Sequence, residues 1–393
     1  VNKKRKYKIQ GMHCGSCAIK IESELKKLDT VRFVNIDFQK KQLVISGSIT
    51  DKELKNKVEN FGDYKLLKKD EKIKARFSRK VKIIFFLFLG VVTLSYLPVF
   101  SSLNESLMSY LKVIWWAVLL GILIGGLIEY FVPEDFIFKY LGQRKKRTIF
   151  FAVIAGFLMS ACSHGILAIS MQLYRKGASI PAVITFLLAS PWANLPVTIL
   201  LFGFFGIKAL WFIFAAMFIA VLTGFIYMGL ENVGWIEKSR EVSLSKNIGW
   251  VNVKNFHFVK SVKGVYSGMV SLVNMVMWWI LIGILIASLI GAYIPDHYFM
   301  RFLGPSFLGL LGTLAFATII EVCSEGSSPI AFEIFNKVGV FGNPFVFLMA
   351  GVVTDYTEIG LIWSNIGKKA ALWLPIVTVP QVVLIGWLFN LFL

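Results

Sequence analysis

"WAVLLGILIGGLIEYFVPEDFIFKYLG" occupies residues 116–142, and "WILIGILIASLIGAYIPDHYFMRFLG" occupies residues 279–304. Laid over one another, they pair Gly121 with Gly283, Pro133 with Pro295 and Gly142 with Gly304, each 162 positions apart. The match continues downstream. "ACSHG" (161–165) stands opposite "VCSEG" (322–326) at an offset of 161, and "ASPWANLP" (189–196) stands opposite "AGVVTDYT" (350–357). Self-similarity at a fixed offset marks an internal repeat. The apolar runs in each copy are about 20 residues long, the length that crosses a bilayer.

Composition agrees with a membrane setting. The 393 residues are 56% hydrophobic and only 17% charged, far from a soluble globular balance. The net charge is +19, and residues 1–82 hold 23 Lys/Arg against 10 Asp/Glu. Most of the basic excess thus belongs to an N-terminal head and a basic linker, which points to the cytoplasmic side of a membrane rather than to nucleic acid. The first long apolar run begins only near Val81, so no secretory signal is expected ahead of the head, and its thiols are expected to stay reduced. Four cysteines, Cys14, Cys17, Cys162 and Cys323, are too few for a disulfide scaffold in so long a chain.

The expected organisation is a head at 1–70, a basic linker at 71–82, a first span with its loop at 83–112, repeat one at 113–230, a basic loop at 231–264 and repeat two at 265–393. Apolar runs lie at 113–132, 148–171, 182–203, 208–229, 265–292, 306–320, 344–363 and 370–393. Basic residues set the orientation. If 148–171 dips into the membrane and returns, Arg144–Arg147, Arg175, Lys176, the 230–264 loop, Lys368 and Lys369 all fall on the side of the head. The second repeat then runs upside down. The fold class read from the sequence is a polytopic α-helical membrane protein with an inverted internal repeat and broken or re-entrant segments. That plan places a site at mid-membrane, where the broken segments meet.

The head reads as β-α-β-β-α-β. Residues 5–10 form a short strand, and Ile19, Ile21, Leu25 and Leu28 share a helix face. "VRFVNIDF" and "KQLVISG" alternate like strands, "DKELKNKVENFG" forms a second helix, and "YKLLKK" forms a last strand. Between the first strand and helix lies "GMHCGSC" (11–17). Two thiols at a helix start gain thiolate character from the helix dipole, and soft thiolates select Cu(I) or Zn-like ions. A structural zinc site takes four ligands, and no second CxxC follows. A dithiol redox centre would need a different order of elements.

This head resembles the heavy-metal-associated domain of copper chaperones and metal-pumping ATPases, on the strength of G-M-x-C-x-x-C and the βαββαβ order over residues 5–70. The resemblance implies an α+β ferredoxin-like fold with a soft or transition metal ion at Cys14 and Cys17, and a cytoplasmic metal chaperone as candidate partner. Met12 and His13 complete the candidate metal site. His13 replaces the threonine common in copper chaperones and reads either as a bias toward Zn(II) or as a solvent-exposed loop residue. Met12 reads more readily as a core plug than as a ligand.

Charged and sulfur-bearing groups inside apolar runs read as functional. Cys162, Ser163 and His164 face Cys323, Ser324 and Glu325 across the repeat, and Glu321, Asn194 and Asp355 lie in or beside apolar runs. The competing readings are plain: a lone buried cysteine is usually a small hydrophobe, and Ser190, Asn194 and Asp355 are of the type that bonds freed backbone near Pro191. Residues 80–393 resemble the bacterial predicted-permease family that includes organoarsenical and copper/zinc efflux permeases, through "SACSHG", "ASPWANLP", "EVCSEG" and "GVVTD". The resemblance implies export of a toxic metal or metalloid across the bacterial inner membrane, with Cys162 and Cys323 contacting the substrate. Asp355 stands where asparagine is expected and Val352 where proline is expected.

The sequence therefore favours a secondary transporter of Cu(I), Zn(II) or a similar ion, not an enzyme and without an organic cofactor. Neither GxxxxGK[ST] nor a DKTGT-type sequence is present, which disfavours ATP drive. Two alternatives stand beside it: an efflux permease for trivalent arsenicals, and a membrane thiol–disulfide or sulfur-handling protein.

Overall fold

Period-two burial builds the head. In β1 (Arg5–Gln10) Tyr7 and Ile9 point inward, and in β3 (Gln42–Gly47) Leu43 and Ile45 do, as alternation along a strand requires. The computed structural model describes residues 4–12, 15–37, 41–62, 64–68, 71, 76–131, 141, 146–159, 163–175, 177–239, 258–320 and 323–393. The elements of the head run β1, α1 (Gly15–Lys26), β2 (Val31–Asp37), β3, α2 (Asp51–Asn60) and β4 (Lys65–Lys68). The sheet is antiparallel, in the order β2-β3-β1-β4. Ile21 and Leu25 of α1 and Leu54 and Val58 of α2 close its core. Thr50 caps α2 by accepting the Glu53 N–H, which satisfies one of the donors a helix start leaves open.

The helical part begins with α3 (Arg79–Ser95), whose 17 residues are at the short edge of what a bilayer needs. Next comes α4 (Ser101–Phe131). The loop expected at 101–112 is thus the first part of a 31-residue helix. Its polar residues Ser101, Ser102, Asn104, Glu105 and Ser106 lower hydropathy without breaking helical geometry. Among the described residues, the helices that follow include α5 (Lys146–Phe157), α6 (Ser163–Arg175), α7 (Ile180–Ala193), α8 (Leu195–Phe205) and α9 (Ala209–Val233). The second half has α10 (Phe258–Leu272), a π-helical turn (Val273–Met277), α11 (Trp278–Tyr293) and α12 (Asp296–Leu303). It ends with α13 (Phe307–Ile320), α14 (Ser324–Val338), α15 (Gly342–Thr354), α16 (Tyr356–Asn365) and α17 (Lys368–Phe392). Helices α13–α17 start 159 to 162 positions after α5–α9, the spacing at which the sequence repeats.

Among the described residues, five segments are long and apolar enough to cross a membrane, or six if the bent pair α12–α13, which turns through 103°, is one span. The run 182–203 was expected as a single span, and the structure breaks it at Asn194. Pro196, which lacks an N–H, falls in the first turn of α8, where no intrahelical donor is needed. Asn194 Oδ1 caps α8 by accepting the Val197 N–H at 2.8 Å. The run 344–363 breaks at Asp355, which accepts the Thr357 N–H at 2.8 Å and has Glu358 three positions on, the spacing of a capping box. The basic loop is shorter than 231–264, since α9 reaches Val233 and α10 starts at Phe258.

The π turn has a specific use. Asn274 is buried there; its Oδ1 accepts the Ser78 N–H at 2.7 Å and its Nδ2 donates to the Arg76 carbonyl at 2.8 Å. A single amide thus holds the end of the linker against the second half of the protein, while Ser78 Oγ caps α3.

Candidate functional site

Polar residues of the second half gather at the start of α14. Cys323 is its N-cap, with extended backbone, and its Sγ accepts the Gly326 N–H at 3.3 Å. Glu325 follows two residues on, in the first turn of the same helix. Cys323, Ser324, Glu325, Ser327 and Ser328 are all buried. Ser328 Oγ donates to the Ser324 carbonyl at 2.6 Å. Ser324 Oγ, Ser327 Oγ and Glu325 Oε2 have no hydrogen-bond partner among the described residues. Each such orphan costs about 1–3 kcal/mol, and three fall within one turn of one helix.

Glu325 faces a cavity of about 20 Å³, room for a single water. Its other walls are apolar: Gly121 and Ile122 of α4, Pro196 and Leu200 of α8, Leu272 of α10, Val276 of the π turn and Ile280 of α11. The two halves therefore meet around this carboxylate. The donors at hand are one soft sulfur, one carboxylate and two hydroxyls, a set suited to a cation with both soft and hard character.

The structure keeps the remaining sequence candidates in different places. Asn194 and Asp355, in corresponding positions of the repeat, spend a side-chain oxygen on helix caps, which is the local backbone role. Ser163 and His164 begin α6, and their side chains lie outside the described residues, as do Cys162 and Glu321. The pairing of Cys162 with Cys323 thus falls outside the described part. Among the described residues no group of three His, Cys, Asp or Glu side chains is arranged to hold a metal. Ser327 was not singled out from the sequence; the signal was the run "SEGSS" (324–328) inside an apolar region.

In the head, Cys17 is half-buried in the first turn of α1, where a thiolate ligand is stabilised. Cys14 and His13 lie outside the described residues. Met12, a candidate ligand by sequence, is 1% exposed within the core of the head, so its thioether is engaged in packing. Tyr7 donates to Asp51 Oδ1 at 2.7 Å and Arg5 to the same oxygen at 2.6 Å. The Tyr7 hydrogen bond, helped by Arg5, holds the Asp51 carboxyl below the usual carboxylate range. Burial and Asp51 push the Tyr7 phenol up. Helix α1, which carries Cys17, packs against α6, which starts one residue after Cys162.

Comparison with known proteins accords with this division. The chain is 23% identical over 292 residues to the UPF0718 protein YcgR of Bacillus subtilis, covering 73% of this chain and 96% of that one. It is 25% identical over 276 residues to a putative two-component membrane permease complex subunit of Streptococcus mutans, covering 68% of this chain and 89% of that one. The UPF0718 protein YraQ of Escherichia coli is 28% identical over 99 residues, 25% of this chain and 28% of YraQ. No solved structure matches. Residues 6–63 match the heavy-metal-associated domain and residues 99–391 match the predicted-permease family, so the chain belongs to that permease family and carries a heavy-metal-associated domain fused at its N-terminal side.

Proposed function

We propose that the protein is a secondary transporter of the bacterial inner membrane that exports a soft or transition metal ion, Cu(I) or Zn(II), captured or sensed by a cytoplasmic head. The observation that carries this reading is the start of α14, where Cys323 and Glu325 stand together with unpaired buried hydroxyls. A cation there would satisfy the orphaned oxygens, and a carboxylate beside the thiol suits a cation better than a neutral trivalent arsenical. In the head, Cys14 and Cys17 hold the ion through two thiolates, few enough to let it go. The packing of α1 on α6 supports handover toward Cys162 and His164. The sheet order of the head supports the ferredoxin-like assignment, and the recurrence of helix starts supports an internal repeat with broken segments, whose inverted orientation rests on the placement of basic residues.

The test is metal content of the purified full-length protein after exposure to Cu(I), Zn(II) or trivalent arsenic. The comparison is between a Cys14→Ser/Cys17→Ser variant and a Cys323→Ser/Glu325→Gln variant. Each variant should lose its own share of the same metal. If the second binds as the unmodified protein does, the start of α14 is not an ion site. If trivalent arsenic alone is retained at the membrane thiols, the arsenical alternative replaces the metal ion.

A further inference from the structure

Between the start of α5, the start of α7 and the end of α9 lies a cavity of about 480 Å³, within the ~300–1,000 Å³ usual for small-molecule sites. It shares no residue with the proposed ion site. Its walls include Lys146 of α5, Ser179 before α7, Met228 and Glu231 of α9, and Lys238 and Ser239 beyond α9. The segment that carries Lys238 and Ser239 is a fixed wall. Gly234 ends α9 with a φ of 83° and turns the chain. Trp235 then stacks on Trp373 of α17, with ring centroids 5.6 Å apart, and Glu237 holds the start of α17. Ser239 Oγ accepts the Ile180 N–H at 2.8 Å, and the Ser239 N–H donates to Glu231 Oε1 at 2.7 Å. The segment is thus pinned to helices of both halves, and the cavity beside it is preformed.

The charge in this cavity favours an anion. Two ammonium groups, Lys146 and Lys238, line it against the single carboxylate of Glu231, one of whose oxygens is engaged by Ser239. None of the ion pairs between described residues takes up either lysine. Arg147, next along α5, is exposed. Basic residues gather at the cytoplasmic face of any membrane protein, but that tendency does not call for a cavity walled by two of them. Nor does the helix start need them: α13 begins 161 positions after α5 and opens with Phe307 and Leu308 in place of Lys146 and Arg147.

Apolar groups lead away from the cavity. On α5, Phe150 and Ile154 follow Lys146 at four-residue intervals, the spacing of one helix face, and each is 52% exposed. On α9, Phe225 and Leu222 precede Met228 at three-residue intervals. Phe150 and Phe225 meet edge to face at 5.8 Å, which joins the two rows into one strip. A free phosphate has no use for such a strip, whereas a cationic pocket at its head complements both ends of a phospholipid. Basic pockets between membrane helices on the cytoplasmic side take anionic headgroups in this way.

We propose that this cavity binds the headgroup of an anionic phospholipid, its phosphate between Lys146 and Lys238 and one acyl chain along Phe150 and Phe225. The lipid bridges α5, α9 and the segment pinned to α17. The site does not depend on which ion the permease moves.

Full-length protein in a non-ionic detergent is titrated with three probes: dioleoyl phosphatidylglycerol, dioleoyl phosphatidylcholine and glycerol 3-phosphate, the soluble headgroup fragment. Native mass spectrometry counts retained lipid, and thermal unfolding reads the stabilisation that a ligand of the folded state brings. Phosphatidylglycerol should bind saturably and roughly tenfold or more tightly than phosphatidylcholine. Glycerol 3-phosphate should leave the unfolding temperature unchanged. Equal binding of the two lipids overturns the anionic site. A shift by glycerol 3-phosphate as large as that by the lipid assigns the cavity to free phosphates and overturns the lipid. Lys146→Met/Lys238→Met should lose the preference for phosphatidylglycerol, and Lys146→Arg/Lys238→Arg should keep it. Lys368→Met/Lys369→Met removes two cations beside Glu237 but outside the cavity, and should keep it too. Equal loss in both methionine variants shows diffuse attraction to a basic surface and overturns the site. The three probes on the unmodified protein need no variant, so they decide even where a variant fails to fold.

Discussion

Gly283 and Gly326 bring α11 and α14 into backbone contact: a Cβ on Gly283 would fall 2.0 Å from the Gly326 carbonyl oxygen. No side-chain rotation relieves such an overlap, because the opposing atom is backbone. The close approach packs α11 against the first turn of α14, directly behind Cys323 and Glu325. Gly283→Ala should therefore lower thermal stability in detergent by about 1–3 kcal/mol, the usual cost of overpacking. Gly360→Ala is the control, since nothing lies within 4 Å of its would-be Cβ, and alanine inside a helix should be neutral or slightly stabilising.

Glu325→Gln should separate stability from binding. Replacing a buried carboxylate, one of whose oxygens is orphaned, by a neutral amide should leave the ion-free protein at least as stable. The same change should weaken ion binding at the start of α14 by roughly tenfold or more, ~1.4 kcal/mol. Thermal scans without metal and equilibrium metal binding check the two halves separately. A loss in both would indicate that the carboxylate holds the helix in place rather than the ion.

Helix α17 has no cap of its own. Gly367 precedes it in an extended conformation without a side chain to offer, and the carboxylate of Glu237 accepts the Lys369 N–H at 3.0 Å and the Ala370 N–H at 2.9 Å. Glu237→Ala should cost about 1–2 kcal/mol, as a lost cap does. Glu237→Gln should fall between, because the amide keeps only one acceptor. Unfolding temperatures of the three proteins in one detergent give the order.

The head should weaken in acid through Asp51. Its carboxyl is held below the ordinary carboxylate value, chiefly by the Tyr7 hydrogen bond. The stabilisation is therefore complete above that ordinary value and is lost as pH falls through the lowered one. Because the Asp51 side chain is 68% exposed, the effect should stay below about 1 kcal/mol. Amide-exchange protection of β1, corrected for intrinsic rates, should fall with pH in the unmodified protein and change less in Asp51→Asn.

The sequence revealed the large divisions because they rest on repeated and periodic signals. The alternation in β1 and β3 and the offset between "ACSHG" and "VCSEG" are visible residue by residue. It also marked a break at "CSEG" (323–326), since such residues are costly in an apolar run. It did not show that Asn194 and Asp355 would be helix caps, because a polar residue beside a break reads equally as a ligand. Nor did it show the pairing of Tyr110 with Glu333, 223 positions apart, or the grip of Asn274 on Ser78, 196 positions apart. Such contacts depend on which helices become neighbours, and no local pattern encodes that.

The Asn274 grip fixes how far the metal-binding domain can travel. On one side, Lys8 donates to the Glu71 carbonyl at 3.1 Å and ties that residue to β1. On the other, Arg76 and Ser78 are tied to the π turn. Only residues 72–75 lie between these anchors, a leash of five Cα steps and at most ~19 Å. On the proposed reading, an ion given up by the head would start beside the permease at an effective concentration in the millimolar range, however scarce that ion is in the surrounding water. In that reading the domain would work as an antechamber, not as a ferry.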